Sequence, residues 1–292
     1  MSEDLRRDKR LVRQSFERAA PGYDGAAVLQ REVCQRMLER LQYIKHGPRT
    51  LLDVGSGTGF GSRGLLKRYP GAALVALDLA PAILKAARAA APWWRRGPPL
   101  GRAGRESLVC GDLDRLPLKA SGVDMVWSNL ALQWSADLRG ALAETHRVLA
   151  PGGLLMFSTF GPDTLKELRQ SFAGRDGHRH VNRFTDMHDI GDMLLDAGFA
   201  TPVMDMEYIT MTYGDLHSLL RELKAIGAHS VVSGRRAGLM GRSQWRAMEQ
   251  AYEQFRRDGR LPATFEVVYG HAWVNRKDPQ GGRVIPLRLQ RG

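Results

Sequence analysis

The stretch that decides the fold is Leu51-Leu52-Asp53-Val54-Gly55-Ser56-Gly57-Thr58-Gly59, residues 51–59. Its first part is an apolar run rich in strand-forming residues, which is typical of a strand buried on both faces. Three glycines at alternate positions follow, and a helix is expected to begin near Phe60. Because glycine tolerates positive φ and lets a ligand approach bare backbone, we interpret this stretch as a nucleotide-type cradle with free N–H groups and a helix dipole behind it.

Two other interpretations of the glycine-rich turn stay open on these residues alone. The first is a tight strand–helix turn that binds nothing. The second is a dinucleotide fold, since Gly59, Gly61 and Gly64 form a G-x-G-x-x-G pattern. That pattern starts too far past the strand to hold a pyrophosphate there. The elements that follow the turn separate these interpretations.

Polar side chains follow three further predicted strands. The strands at 73–77, 107–110 and 123–127 are followed by Asp78, Asp112 and Asn129, respectively. Ligands of open α/β sheets bind at the carboxyl ends of the strands. We therefore expect these side chains and the glycine-rich turn to surround one ligand.

The pattern Asp53-x-Gly55-x-Gly57-x-Gly59, taken with these acids, resembles motif I of the class I S-adenosylmethionine (SAM)-dependent methyltransferases. The resemblance implies SAM as cofactor, with the ribose hydroxyls on Asp78, the adenine amino group on Asp112 and the methionine end along the backbone after strand four. It implies no metal. The residues that the resemblance assigns to the cofactor are Asp53, Gly55, Ser56, Gly57, Gly59, Asp78, Leu79, Asp112, Leu113 and Asn129.

The expected fold is α/β and Rossmann-like, a seven-stranded, mostly parallel sheet with a final antiparallel strand and helices on both faces. The domain prediction is an N-terminal helical cap at 1–46, a methyltransferase domain at 47–275 and a basic tail at 276–292. Lid insertions are expected after strands five and six, at about 161–185 and 227–262. In the cap, predicted helices at 5–18 and 25–43 flank Phe16 and Tyr23, which either wall the methyl group or only pack the cap onto the domain.

Motifs in and near the predicted lid make the resemblance more specific. Ser128-Asn129-Leu130-Ala131-x-Gln133-Trp134, Asn182-Arg183-Phe184 and Leu223-Lys224-x-Ile226-Gly227-Ala228 are similar to the malonyl-acyl-carrier-protein O-methyltransferases of biotin synthesis, over residues 8–275. The long loop at 92–105 departs from shorter members of that family. The similarity implies methylation of the free malonyl carboxylate, which is ionised at neutral pH and needs no general base.

Something must hold that carboxylate. Besides Tyr23 beside the methyl group, the candidates are Arg183, Lys224, His229, Arg235 and Arg236, and each is as well explained as a solvated surface residue. Alternatives within the same fold are methylation of a quinone ring or of a protein side chain. The sequence does not give the oligomeric state.

Composition and charge limit the classes of protein to which the chain can belong. The 292 residues are 43% hydrophobic, and no apolar run approaches the ~20 residues of a membrane span. The charged N-terminus does not resemble a signal peptide. Two cysteines, Cys34 in a helix and Cys110 at an expected buried strand end, exclude a disulfide scaffold. These features favour a cytoplasmic protein with no membrane partner.

The formal net charge of +12 suggests an acidic partner. Basic residues concentrate in 85–105 and 221–246, where acids are almost absent. We expect an acidic acyl carrier protein as partner, steered by a basic rim on the lid. A nucleic-acid-binding module has the net charge as its only support, since the chain lacks the alternation of aromatic and basic residues used by single-strand platforms.

Overall fold

The computed structural model describes residues 8–90, 106–174, 181–226 and 241–276. Several predictions lie outside these ranges: the start of the first helix, the loop at 92–105 and the tail beyond Arg276. His229, Arg235 and Arg236 also lie outside the described residues.

The described residues form a sheet of seven strands in the order β3-β2-β1-β4-β5-β7-β6. β7 is antiparallel to both of its neighbours, and the other neighbouring pairs are parallel. The predicted fold is therefore confirmed. The strands are β1 Thr50–Val54, β2 Ala73–Asp78, β3 Glu106–Cys110, β4 Val123–Asn129, β5 Leu149–Phe160, β6 Phe199–Tyr213 and β7 Leu261–Val274.

Ten α-helices occur in the described part of the chain. They are α1 Lys9–Ala19, α2 Tyr23–Ala26, α3 Val28–Arg40, α4 Phe60–Arg68, α5 Pro81–Ala90, α6 Leu138–Val148, α7 Lys166–Phe172, α8 Met187–Asp196, α9 Leu216–Ala225 and α10 Arg242–Glu253.

The single helix predicted at 25–43 is wrong, because the chain breaks at Ala27. The ψ angle of Ala27 is 43°, outside the helical region, so α2 and α3 are separate helices. Gly25 is a poor helix former, and α2 is a single turn. Tyr23 consequently lies at the first residue of α2 and not in a loop.

The two faces of the sheet carry separate apolar cores. One lies beneath α3 and α4 and continues under α7, α9 and α10, and it includes Met37, Leu65, Met125, Leu219, Tyr252 and Phe265. The other lies beneath α6 and α8 and includes Leu52, Val126, Leu142 and Leu194. The helices α7 and α10, which lie in the predicted lid insertions, thus share their core with the N-terminal helices.

Close packing explains the second glycine pattern. A Cβ at Gly64 would lie 2.5 Å from Cδ1 of Leu38, and one at Gly61 would lie 3.1 Å from Nε1 of Trp127. These glycines therefore let α4 approach α3 and β4, a structural role for the residues of the dinucleotide-like pattern.

The expectation for Cys110 is wrong. The thiol lies at the end of β3 and is exposed, because β3 is an edge strand that pairs only with β2 among the described residues. Cys34 is buried in α3, as expected for a helix that faces the core.

Candidate active site

The carboxyl ends of β1, β2, β3 and β4 surround one cleft, with about 590 Å³ of empty space that includes its opening to solvent. The walls combine polar strand ends with apolar side chains from the first helix and from the turn after β4. The sequence-predicted residues among them are Tyr23, Gly55, Gly57, Asp78, Leu79, Asp112, Leu113 and Asn129.

The glycine-rich turn shapes this cleft by its backbone. Gly55, Gly57 and Gly59 have φ values of 72°, 56° and 83°, which side-chain-bearing residues rarely adopt. A Cβ at Gly55 would lie 2.3 Å from the Cβ of Ala131. Glycine is therefore required here both by conformation and by space.

The expectation that the turn presents free N–H groups is wrong. The amides of Gly55 and Ser56 donate to the carbonyl of Leu77 at 2.8 and 3.0 Å, and the amide of Gly57 donates to Asp78 Oδ2 at 3.0 Å. The turn is therefore tied to β2 and is not an anion hole. It positions Asp78 instead.

Asp78 stands at the end of β2 with its carboxylate fixed from below. Its two oxygens accept hydrogen bonds from the amides of Gly57 and Ala80, the latter at 2.9 Å. Burial raises the pKa of Asp78, and the hydrogen bonds from Ala80, Gly57 and Leu79 oppose that rise. Each oxygen keeps a further lone pair that can accept from a diol.

Asp112, which follows β3, lines the same cleft, and the amide of Gly111 before it donates to the carbonyl of Asp78 at 3.0 Å. Its Oδ1 accepts from Lys9 Nζ at 2.6 Å and from the amide of Asp114 at 3.0 Å. Lys9 also lies 2.9 Å from Asp114 Oδ2. These ion pairs hold the start of α1 across the cleft, while Oδ2 of Asp112 has no hydrogen bond among the described residues.

The apolar end of the cleft is built by the N-terminal helices. Phe16 stacks edge-on against Trp134 at 5.3 Å between ring centroids and lies 6.4 Å from the ring of Tyr23. Burial of the Tyr23 hydroxyl, followed by the nearby charges of Asp78 and Asp24, raises its pKa above the ordinary value of 10.0. Tyr23 is therefore protonated and available as a donor at neutral pH.

Asn129 connects three elements at the end of β4. Its side-chain nitrogen Nδ2 donates to the backbone carbonyl of Gln30 at 3.0 Å, and its side-chain oxygen accepts from Ser158 Oγ at 3.0 Å. Leu130, the next residue, has a φ of 48°. This left-handed conformation costs free energy at a residue other than glycine. It shapes the cleft because the next residue, Ala131, lies against the glycine-rich turn.

Asp53 lies below the turn and away from solvent. It is 2% exposed and accepts a hydrogen bond from Ser62 Oγ at 2.6 Å. Burial raises the pKa of Asp53 to about 7, and the Ser62 hydrogen bond opposes that rise. Asp53 contributes to the inner wall and does not line the main cleft.

A second cavity, of about 470 Å³, lies on the other side of Tyr23 between α3 and the glycine-rich turn. Three buried polar atoms in its lining residues have no hydrogen-bond partner among the described residues: Gln30 Oε1, Ser56 Oγ and Trp127 Nε1. Buried polar atoms are normally paired, so this side of the turn is suited to a polar group that is not part of the chain.

Of the basic candidates, only Arg183 and Lys224 lie in the described residues, and neither is brought into the main cleft. Arg183 is exposed and lines a separate cavity of about 400 Å³ with Gln133, Thr159 and Phe184, on the far side of the turn after β4. Lys224 is exposed on α9. Neither lies among the residues that surround the cleft with Tyr23.

Sequence reasoning missed several residues of the site. The sequence did not predict that Lys9 would donate to Asp112. It also did not predict the hydrogen bond from the hydroxyl of Thr58 to Asp24. Gln30 and Trp127 also escaped notice. Such contacts join segments far apart in the chain, so no local pattern identifies them.

The residues present fit the SAM cofactor that the resemblance implies. The cleft offers a fixed carboxylate at Asp78 for a diol, an unpaired carboxylate oxygen at Asp112 for an amino group, and Leu79 and Leu113 as apolar walls between them. The unpaired polar atoms beside Ser56 provide partners for an amino-acid end. These features match the ribose, adenine and methionine parts of that molecule.

No group of three His, Cys, Asp or Glu side chains in the described ranges is placed to hold a metal ion. Of the helices in the described ranges, none is both long and apolar enough to cross a membrane.

Comparison with solved structures supports the fold. The YcgJ protein of Bacillus subtilis matches with a TM-score of 0.55 and 14% identity, over 82% of this chain and 99% of that one. A putative methyltransferase of Bacillus halodurans matches with a TM-score of 0.56 and 20% identity, over 82% of this chain and 98% of that one. At these identities the likeness shows the fold alone.

Comparison of sequences shows the family. Residues 52–157 match the methyltransferase domain family. The malonyl-[acyl-carrier protein] O-methyltransferase of Gallionella capsiferriformans is 59% identical over 266 residues, 91% of each chain. That of Nitrosospira multiformis is 58% identical over 273 residues, 91% of this chain and 89% of its own. The chain therefore belongs to the malonyl-[acyl-carrier protein] O-methyltransferase family of SAM-dependent enzymes.

Proposed function

We propose that this chain transfers a methyl group from SAM to the free carboxylate of a malonyl group on an acyl carrier protein, which gives the malonyl methyl ester. The observation that carries the proposal is the identity of 58–59% to relatives with that activity in their names, over about nine tenths of the chain. An acidic carrier protein and a cytoplasmic location are part of the proposal.

SAM supplies an electrophilic methyl group on a positively charged sulfur. Asp78 would hold its ribose hydroxyls, Asp112 its adenine amino group, and Leu79 and Leu113 the adenine faces. The backbone at Gly55 and Asn129 would hold the methionine end, beside the unpaired atoms of Gln30 and Trp127. Lys9 and α1 then close the cleft above the cofactor.

The acyl side of the site needs to orient a carboxylate, not to deprotonate one. A malonyl carboxyl is ionised near neutral pH, so the nucleophile is already formed. Tyr23 lines the cofactor cleft, and its raised pKa keeps its hydroxyl protonated. We assign to it a hydrogen bond that aims the carboxylate at the methyl group.

The apolar rings around Tyr23 serve the same step. Phe16 and Trp134 restrict water at this end of the cleft. The charges of a carboxylate and a sulfonium cancel during transfer, and an apolar surrounding favours that loss of charge. Arg183, Lys224 and His229 remain candidates for a second contact to the carboxylate, with Arg183 nearest to the turn after β4.

The experiment that tests the function uses matched carrier proteins. The purified chain is incubated with SAM and either malonyl or acetyl carrier protein, and the intact carrier is weighed by mass spectrometry. The malonyl carrier should gain the mass of one methylene group, and the acetyl carrier, which lacks a free carboxylate, should not change. No gain on the malonyl carrier, or an equal gain on both, would refute the proposal.

A further inference from the structure

Helix α9 presents its basic residues on one side. Leu216, Leu219 and Leu223 are buried against the core, whereas Arg221 and Lys224 are exposed on the opposite side. Residues three and four positions apart share a helix face, so the two cations form a short basic stripe.

Helix α10 extends this stripe. Arg242 and Arg246 are exposed and four positions apart, while Met248 and Tyr252 are buried. The ring of Trp245 on α10 lies 5.1 Å from the ring of His217 on α9. The two helices are therefore adjacent, and Arg221, Lys224, Arg242 and Arg246 form one region, which we call the basic lid surface.

None of the four cations of the basic lid surface has an ion-pair partner among the described residues, which is also true of exposed arginines such as Arg49 and Arg115. Elsewhere Arg13 pairs with Glu17 at 2.9 Å, and Arg256 pairs with Glu253 at 2.7 Å.

The neighbouring acids on α9 are engaged otherwise. Asp215 accepts from the amide of Ser218 at the start of the helix, and Glu222 accepts from the hydroxyl of Tyr213 at 2.9 Å. The charge of Arg221 acts on Asp215, but none of the four cations forms an ion pair among the described residues, so they leave a positive field that an acidic surface can neutralise.

The position of the surface relates it to the site. α9 contacts α2, the helical turn that begins with Tyr23. Tyr23 packs against the same apolar cluster that contains Leu216, Leu219 and Leu223. A protein bound to the outer side of α9 and α10 would therefore stand next to the wall of the cofactor cleft.

From these observations we propose that the basic lid surface is the docking site for an acidic face of the carrier protein. The proposal rests on the proposed function, since a carrier-bound substrate is what gives the enzyme a protein to dock. It assigns a role to the cations of α9 and α10 that is separate from holding the malonyl carboxylate.

The test compares two double charge reversals of equal size. Arg221→Glu/Arg246→Glu alters the basic lid surface. Lys45→Glu/Lys67→Glu is the control, because both lysines are exposed and precede β1 or end α4, at the other end of the sheet. kcat/KM is measured for malonyl carrier protein and for the malonyl thioester of N-acetylcysteamine, which has no protein part. Binding of unloaded carrier protein is measured by calorimetry.

On malonyl carrier protein, the lid variant should lose at least about tenfold in kcat/KM at low salt, and the loss should shrink as salt is added. On the small thioester it should match wild type, which also shows that it is folded. The control variant should match wild type on both substrates. Calorimetry should show weaker carrier binding for the lid variant alone.

Two outcomes would overturn the docking proposal. One is equal activity of the lid variant and wild type on malonyl carrier protein at low salt. The other is an equal loss in the control variant, which would mean that net charge matters and not this surface. Failure of the proposed function would be recognised separately, since wild type would then methylate neither malonyl substrate.

Discussion

The two sides of the sheet carry their polar groups in different ways. Around β1, β2 and β3 the acids stand at strand ends and face a cleft, as Asp78 and Asp112 do. Around β5, β7 and β6 the buried acids join elements to each other. Glu167 on α7 accepts hydrogen bonds from the amide and hydroxyl of Thr264 on β7, and Glu266 accepts from the amide of Asp163.

From this difference we infer that one side of the sheet is suited to bind a small molecule and that the other side is a scaffold. The cleft side leaves polar capacity unused, at Asp112 Oδ2 and beside Gln30 and Trp127. On the side of β5, β7 and β6, which we call the lid side, the buried acids Glu167 and Glu266 form hydrogen bonds within the chain, although Arg169 Nε and Asn182 Oδ1 have no partner among the described residues. Substitutions of acids that line the cleft should therefore change cofactor binding, whereas substitutions of Asp53, which does not line it, and of the buried acids on the lid side should change stability.

The largest effect is expected from Asp53→Asn, as a change of stability with pH. The pKa of Asp53 in the folded chain is raised from 3.8 to about 7, so folding takes up a proton in this window. The free energy of unfolding of wild type should then fall as pH rises from about 4 to about 7, by at most about 4 kcal/mol from this group.

Asparagine can still accept from Ser62 and has no proton to lose. The free energy of unfolding of the variant minus that of wild type should therefore increase between about pH 4.5 and about pH 8. Urea denaturation at both pH values measures this difference. A difference that does not change with pH would contradict the assignment of a raised pKa to Asp53.

A smaller effect is expected from Asp78→Ala, on SAM affinity. Loss of the carboxylate leaves the ribose hydroxyls without their acceptor, at a cost of about 1–3 kcal/mol, and affinity should fall by about 5- to 150-fold. The melting temperature should also fall, since the amides of Gly57 and Ala80 lose their acceptor.

Calorimetry at a temperature where the variant is folded measures the affinity, with Asp189→Ala on the exposed side of α8 as the control. Unchanged affinity for SAM in Asp78→Ala would remove Asp78 from the cofactor site. An equal loss in Asp189→Ala would point to a general effect of charge.

On the lid side, Glu167→Ala should lower the free energy of unfolding and leave SAM affinity unchanged. It leaves the buried amide and hydroxyl of Thr264 without an acceptor, which costs about 1–3 kcal/mol. The matched control is Glu17→Ala, which removes an exposed ion pair with Arg13 and should cost less than about 1 kcal/mol.

Urea denaturation and SAM calorimetry on both variants give the comparison. If Glu167→Ala weakened SAM binding as strongly as Asp78→Ala, the division between a binding side and a scaffold side would not hold.

The parts of the fold that could be predicted are those encoded locally. Asp53 to Gly59 predicts a strand, a turn and a helix because each step depends on adjacent residues, and Asp78 follows from the end of an apolar run. Lys9 could not be predicted to reach Asp112, since the contact spans 103 positions. The exposure of Cys110 depends on the place of β3 at the edge of the sheet, and a strand's own residues do not specify its neighbours.

In the proposed mechanism the site orients a carboxylate that is already ionised, and Tyr23 stays protonated over the whole pH range of the measurement. The most direct measurement is the single-turnover rate of methyl transfer to malonyl carrier protein as a function of pH, in wild type and in Asp53→Asn. The rate should be nearly flat between about pH 6.5 and about pH 8.5 in both, because neither the substrate carboxylate nor Tyr23 titrates there, and Asp53, which does, lies outside the lining of the main cleft. A rise approaching tenfold per pH unit in both proteins would show a general base and contradict the account.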